Sequence, residues 1–179
     1  MKPISIFRML FGLLMAVLFG ACQNENNQVV KETTESFFST TRMHNEIDQQ
    51  ALSTDLAALL QQAIEAETND AALTKAGPFP TDKPMLIEGD IFSSLYEGRT
   101  SAKVKSIRYK DNNALVVMDL ENKPYNTKWS DTAVLTKEGN TWKIDNVLFG
   151  QNNNMGNTKA VLNNFLNACR DKLKQRSVQ

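Results

Sequence analysis

Four short segments between Ser101 and Phe149 constrain the fold of this chain more than any other part of it. They are rich in strand-forming residues and comprise Ser101–Tyr109, Ala114–Leu120, Lys128–Lys137 and Thr141–Phe149. The turns at 110–113 and 138–140 are rich in Asn, Asp and Gly, and a longer turn between them holds Pro124. Because short turns of this composition join neighbouring antiparallel strands, we predict a four-stranded meander.

An antiparallel sheet needs a cover for its apolar face. Three segments with apolar residues at helical spacing can provide one, and they are Val29–Met43, Asp48–Glu67 and Thr158–Lys174. In the last strand, Trp142, Ile144 and Leu148 are in phase, so we expect this face to lie under the helices. The sequence therefore predicts an α+β fold in which the helices cover one face of a curved sheet.

The segment from Gly77 to Arg99 predicts a long irregular loop, because its glycines and prolines interrupt any helix or strand. Several of its residues are nevertheless apolar, including Ile87, Ile91 and Phe92, so part of the loop must pack against the core. Long ordered loops of this kind are often functional. We therefore treat Pro80–Tyr96 as the rim of a candidate site.

Three parts of the chain resemble domain of unknown function 3828. They are the run DKPMLIEGDIFSSLYEG at Asp82–Gly98, the hairpin KEGNTWKIDNVLF at Lys137–Phe149, and the closing helix. The similarity extends from about Val29 to Cys169, although Ile91 stands where that family often has a proline. The resemblance implies a cone-like fold of the nuclear-transport-factor-2-like or cystatin-like type and a bacterial envelope lipoprotein. It implies no activity.

The N-terminus predicts export. Lys2 and Arg8 precede an apolar run, Met9–Phe19, which is too short to cross a hydrocarbon core of about 30 Å and has the pattern of a secretory signal. Small residues at 20–21 then precede Cys22. This arrangement resembles a bacterial lipobox, in which the cysteine thiol is acylated and the cysteine becomes the new N-terminus. The alternative is ordinary cleavage after position 21, which leaves a free cysteine.

Lipidation of Cys22 is favoured by the polar residues that follow it, and it predicts the organisation of the whole chain. We expect a lipoprotein signal peptide at residues 1–21, a polar tether at 22–28, one α+β domain at 29–174 and a tail at 175–179. The protein would then be anchored in the bacterial cell envelope, at the outer membrane or the periplasmic face, without crossing a membrane. Cys169 lies on the apolar side of the last helix, and we interpret it as a core residue.

Charge excludes one class of partner. The chain has 20 basic and 20 acidic side chains, and it lacks the basic stripe that nucleic-acid binding requires. His44 is the sole histidine and has no ligand partner at suitable spacing, so we expect it at the surface or at a helix end, with no metal site. No phosphate-binding glycine motif is present, and we expect no cofactor.

Candidate site residues follow from the loop and the sheet together. A carboxylate in an apolar pocket can act as a general base, and Asp90 and Asp119 both lie in apolar surroundings. Tyrosine hydroxyls could assist at an oxyanion. The candidate rim comprises Asp90, Phe92, Tyr96, Tyr109, Asp119 and Trp129, and Tyr125 is a further hydroxyl donor. In the alternative interpretation, Asp90 caps the turn that follows it and Asp119 faces water.

These observations favour a lipid-anchored envelope module that binds an unidentified small molecule or envelope protein. One alternative is a small enzyme of the ketosteroid-isomerase type that uses Asp90 or Asp119 as its base. Another is a periplasmic inhibitor or immunity-type protein that acts through an exposed surface.

Overall fold

The computed structural model describes residues 25–39, 41–150 and 156–176. The predicted signal peptide, Cys22 and the Asn-rich segment at 152–154 lie outside these residues. The main elements, in order, are α1 (residues 25–37), α2 (Thr54–Ala76), β1 (Ser101–Lys110), β2 (Asn113–Asn122), β3 (Thr127–Glu138), β4 (Thr141–Leu148) and α3 (Thr158–Arg176). Two single-turn 3-10 helices, His44–Glu46 and Gln49–Ala51, precede α2.

The four strands form one antiparallel sheet in the order β1-β2-β3-β4. Every strand begins and ends within two residues of its predicted position. Helices precede the sheet and one helix follows it, so the predicted α+β meander is confirmed. The arrangement is consistent with a cone-like fold. Among the described residues, no helix is both long and apolar enough to cross a membrane.

One face of the sheet, which we call the inner face, carries the core. Val116 and Met118 on β2 are fully buried there. Helix α1 lies on this face antiparallel to β1, because Tyr109 Oη donates to Asn27 Oδ1 at 2.9 Å while Val104 N donates to Glu35 Oε1 at 3.1 Å. Burial of the apolar side of α1 against the sheet supplies the hydrophobic stabilisation of this layer.

Helix α1 differs from the predicted Val29–Met43 at both ends. Residues 25–28, which the sequence assigns to a polar tether, are helical, and Asn26 and Asn27 contact the sheet, where Trp142 Nε1 donates to Asn26 Oδ1 at 3.2 Å. At the other end the helix stops at residue 37, because the carbonyl of Phe38 accepts a hydrogen bond from Arg99 Nε at 3.1 Å. A tertiary contact therefore accompanies the C-terminal end of the helix.

Helix α2 begins later and ends later than the predicted Asp48–Glu67. Ser53 is its N-cap and accepts from Leu56 N at 3.1 Å, while Ser53 N donates to Ile144 O at 2.8 Å. This strand-like contact with β4 delays the start of the helix. The helix then continues to Ala76, where the Gly-Pro pair at 77–78 ends it. Residues 71–76, which lie between the predicted helix and the predicted loop, belong to α2.

Helix α3 begins at Thr158 as predicted and reaches Arg176, two residues beyond the predicted end. The N-termini of α2 and α3 meet at one carboxylate on β4, since Asp145 accepts from Ser53 Oγ at 2.7 Å and from Lys159 Nζ at 2.7 Å. A carboxylate is favourable beside the positive ends of two helix dipoles. The two helices run in the same direction from this point and pack against each other.

The predicted inner face of β4 is correct at Trp142 and Ile144 and wrong at Leu148. Trp142 and Ile144 are buried as expected, but Leu148 lies on the opposite face, and Val147 occupies the core in its place. The cause is a bulge at Asp145, where β4 has one residue more than β3. A single extra residue exchanges the two faces of the strand beyond it.

Candidate functional site

Asp90, which we expected at the rim of a pocket, is buried in an ion pair. Its Oδ2 pairs with Arg99 Nη1, and the exposed fractions of the two side chains are 2% and 1%. Its Oδ1 accepts from Phe92 N at 2.9 Å, which is the turn-capping bond of the alternative interpretation. Thr41 Oγ1 lies 3.3 Å from Oδ2. Every oxygen of this carboxylate is therefore engaged within the fold.

Arg99 connects three segments of the chain. Its Nε donates to the carbonyl of Phe38, after α1. Its backbone makes two hydrogen bonds with the hydroxyl of Thr41, because Thr41 Oγ1 accepts from Arg99 N at 2.7 Å and donates to Arg99 O at 2.8 Å. Burial lowers the pKa of Arg99, and the nearby carboxylates of Asp90 and Asp131 oppose that effect. The guanidinium is thus a buried charge compensated by buried acids.

Asp131 is a structural residue that the sequence reasoning missed. It is fully buried on the inner face of β3, and its oxygens accept from Ser94 N at 2.9 Å, Trp129 Nε1 at 3.0 Å and Gly150 N at 2.8 Å. These bonds tie the long loop and the segment after β4 to the sheet. The missed signal was its phase, because Asp131 alternates with the core residue Ala133 along the strand.

Three other predicted rim residues lie in different parts of the fold and differ in how exposed they are. Asp119 is exposed and accepts from Ser130 Oγ at 2.9 Å and Lys105 Nζ at 3.3 Å, so it faces water as the alternative interpretation had it. Tyr96 is exposed, with its ring over Gly89. Tyr109 lies at the opposite end of β1, where burial raises the pKa of its hydroxyl.

The structure therefore divides the six candidate rim residues. Asp90, Phe92 and Trp129 belong to the buried network around Arg99 and Asp131. Phe92 contributes its ring to the core, with its centroid 5.2 Å from that of Phe37. Asp119, Tyr96 and Tyr109 lie elsewhere, as does Tyr125, which is exposed in the turn between β2 and β3. These residues do not converge on one concavity.

His44 is buried rather than at the surface, and it begins a 3-10 turn, so the helix-end alternative is the one that holds. Its Nε2 lies 2.7 Å from Glu67 Oε2 on α2, and Glu67 Oε1 accepts from Ile87 N at 2.9 Å. The pair thus fastens the loop to α2. Among the described residues, no three His, Cys, Asp or Glu side chains are grouped to hold a metal ion.

An open concavity lies instead between the C-terminal parts of α2 and α3. We call it the α2–α3 cleft; its volume is about 810 Å³, and its lining includes Leu73, Thr74, Pro78, Phe79, Lys172 and Arg176. Leu73 and Phe79 are 46% and 67% exposed, so they form an apolar wall that faces solvent. A smaller groove of about 390 Å³ continues along the two helices past Leu166 and Cys169.

The floor of the cleft is formed by Lys172 and Arg176, and both pair with Asp70, a buried acid that lines the adjoining groove. Asp70 Oδ2 accepts from Lys172 Nζ at 2.8 Å and from Met85 N at 2.7 Å, and Arg176 Nη1 lies 3.1 Å from Oδ1. Arg176 Nη2 also donates to Thr74 Oγ1 at 2.7 Å. Burial raises the pKa of Asp70, but the bonds from Lys172 and Met85 and the charges of Lys172 and Arg176 outweigh it, so the pKa is lowered.

This floor is suited to holding a ligand rather than to reacting with one. The Asp70 carboxylate is ionised and engaged, so it is a poor proton acceptor. Cys169 is 4% exposed, in agreement with the predicted core position, and burial raises the pKa of its thiol, which opposes formation of the reactive thiolate. The rim carries Asp82 and Lys83, one charge of each sign.

Comparison with family models, with curated proteins and with solved structures finds no match to this chain. The function must therefore be argued from the geometry of the chain itself.

Proposed function

We propose that this protein is a lipid-anchored module of the cell envelope that binds a small, partly apolar molecule in the α2–α3 cleft. The observation that carries the proposal is the cleft itself, where Leu73 and Phe79 are exposed beside a charged floor. Binding sites for small molecules are concave, with apolar walls and a few fixed polar groups. Large exposed apolar side chains at such a place favour a contact surface.

The positions of the two candidate bases support binding over catalysis. Asp90, the first candidate base of the enzyme alternative, is ion-paired with Arg99 and lines neither the α2–α3 cleft nor the adjoining groove. Asp119, the second, is exposed beside Lys105 and likewise lines neither the cleft nor the groove. A general base must lie within reach of its substrate, and neither carboxylate lines the concavities between α2 and α3.

The anchor belongs to the proposal through the sequence at Cys22. The polar residues after it run into α1, which is bonded to the sheet through Asn26 and Asn27. Acyl chains on a cysteine only a few residues before that helix would hold the domain close to the membrane surface.

A fluorescent apolar probe tests the binding site. N-phenyl-1-naphthylamine, titrated into the full chain carrying Cys22→Ser, should show a saturable rise in emission. Phe79→Ser should weaken binding about tenfold, since burying one large apolar side chain is worth roughly 1.5–3 kcal/mol. Tyr125→Ser is the matched control, because Tyr125 and Phe79 are similarly exposed at 64% and 67%. Absence of saturation, or an equal effect of the control, would contradict the proposal.

A further inference from the structure

The sheet face opposite α1 carries a separate group of apolar side chains. Leu115 lies opposite Val134 on neighbouring strands, and Thr132 lies between Val117 and Leu148. We call the surface formed by these residues the open face. They alternate along the strands with core residues and therefore point away from α1. In the part of the chain that the structure describes, its four large apolar residues belong neither to the core nor to the residues packed against it.

Basic side chains of the edge strand β1 border the open face on one side. Arg108 is the direct partner of Leu115, so its side chain lies on the same face. The bases on this side are Lys103, Lys105, Arg108, Lys110 and Lys128, and the acids are Asp119, Glu121 and, in the hairpin turn, Asp111. The whole chain has equal numbers of acids and bases, so this excess of positive charge is local.

We propose that the open face docks a second protein whose contact surface is apolar at its centre and acidic along one edge. Protein interfaces combine an apolar centre with a polar rim, and opposite charges across the rim steer the partners together. Lysines on an edge strand also discourage strand pairing, so the partner is assigned to the face of the sheet rather than to its free edge. This proposal does not depend on the α2–α3 cleft.

Charge argues against a second copy of this chain as the occupant. When two copies pack face to face, the basic β1 margin of one copy lies over either the β1 margin or the β4 margin of the other copy. The acids at the β4 margin are already engaged, because Glu138 accepts from Thr54 N at 2.8 Å and Asp145 is held by Ser53 and Lys159. On the β1 margin the five named bases outnumber the three named acids, so two such margins placed together would repel each other.

Shape argues against a bilayer as the occupant. A side chain that inserts into a membrane must protrude beyond its neighbours. Leu115, Val117, Val134 and Leu148 are only partly exposed, while the bases around them, such as Lys105, Arg108 and Lys128, are exposed. A protein surface with complementary shape can reach these apolar groups without burying the lysines.

Selection from a random peptide display library identifies the chemistry of the occupant. Peptides are selected on the full chain carrying Cys22→Ser, and those that still bind the Leu115→Ser/Val134→Ser variant are discarded. We expect the remaining peptides to be rich in Asp and Glu with apolar residues between them. Arg108→Glu should weaken them at least fivefold, whereas Arg170→Glu on the exposed side of α3 should not. Their affinity should fall as salt rises from about 50 to about 500 mM.

Several results would overturn the proposal. The proposal fails if no selected peptide depends on the open face for binding, or if the peptides that do depend on it are neutral or basic. It also fails if Arg108→Glu leaves their binding unchanged. A dimer in sedimentation that Leu115→Ser abolishes would assign the face to a second copy. Retention on vesicles with about one quarter phosphatidylglycerol, lost in Leu115→Ser, would assign it to a membrane. Because Arg108 is exposed, Arg108→Glu should leave the fold intact. It therefore tests the proposal even if the Leu115→Ser/Val134→Ser variant unfolds.

Discussion

At the scale of single residues, Asp90 and Arg99 depend on each other because neither charge reaches water. Removing one partner of a buried pair leaves the other as an uncompensated charge in a medium of low polarity. The same ion pair joins the long loop to the start of β1 and to the end of α1. Its role is therefore to fix the path of the loop.

Asp90→Ala should lower the free energy of unfolding by about 3–5 kcal/mol, since Arg99 remains buried without the carboxylate that contacts its Nη1. Urea unfolding measures this loss. Asp119→Ala, which removes an exposed ion pair with Lys105, should cost less than about 1 kcal/mol. A loss from Asp90→Ala as small as that of this control would show that the pair is not a structural tie.

Asp70 should make the protein sensitive to acid. Its pKa in the folded protein lies below the ordinary value of 3.8, because Lys172, Met85 N and Arg176 outweigh the opposing effect of burial. A lowered pKa contributes stability that is complete above the unfolded value and is lost as pH falls through the folded value. Asp70→Asn should therefore flatten the fall in stability below about pH 4.

Urea unfolding between about pH 6 and pH 2.5 follows this dependence. Asp171→Asn serves as the control, because Asp171 is an exposed acid paired with Lys174 on the same helix, and it should leave the acid profile close to that of the unaltered chain. If Asp70→Asn gives the same profile as the unaltered chain, the charge cluster under the cleft contributes nothing to acid stability.

The sequence singles out Asp90 but not its partner. An Asp before a turn indicates capping, and the bond to Phe92 N confirms that part of the prediction. The pairing with Arg99 depends on the loop returning on itself, which no local pattern encodes. His44 illustrates the same limit, since its burial depends on Glu67 of α2.

At the scale of elements, turn chemistry made the strands predictable and tertiary contacts made the helix ends unpredictable. Asn, Asp and Gly set the hairpins locally, so the strand bounds are within two residues of the prediction. Helix α2 begins where Ser53 can both cap it and bond to Ile144 on β4. The bulge at Asp145, which moves Leu148 to the open face, also depends on contacts with the helices.

Trp142 tests the assignment of the inner face of β4. It is 5% exposed, its indole donates to Asn26 and its ring lies 5.9 Å from that of Tyr109. Trp142→Ala should lower the free energy of unfolding by about 3–5 kcal/mol, as for other large-to-small changes in a core. Tyr125→Ala, at an exposed turn, should change it by less than about 0.5 kcal/mol. A loss below about 1 kcal/mol for Trp142→Ala would place the indole outside the core.

At the scale of the whole molecule, the sequence predicts an anchored module and the structure adds two surfaces to it. The α2–α3 cleft joins residues about 100 positions apart, such as Thr74 and Arg176, so no local signal revealed it. The open face is likewise visible only once the register of three strands is known. The sequence offers a local sign of the cleft at Phe79, an apolar residue between the prolines that follow α2, and its side chain is exposed.

Cys22→Ser tests the anchor. If Cys22 carries acyl chains, this variant should move from the membrane fraction to the soluble envelope fraction, because each buried CH₂ contributes about 0.8 kcal/mol to membrane binding. Mass spectrometry of the mature N-terminus should show the acyl groups on the unaltered protein. Membrane retention that survives the change, together with an unmodified N-terminus, would contradict lipidation.

The most direct test of the binding proposal is to locate the apolar probe on the protein. Two-dimensional NMR spectra of the full chain carrying Cys22→Ser, recorded with increasing N-phenyl-1-naphthylamine, report which amides change environment. The proposal predicts saturable shifts at Leu73, Thr74, Gly77 and Phe79, with intermolecular contacts to the Phe79 ring. Shifts confined to the open face around Leu115 and Val134, or spread evenly over the surface, would contradict the assignment of the α2–α3 cleft as the binding site.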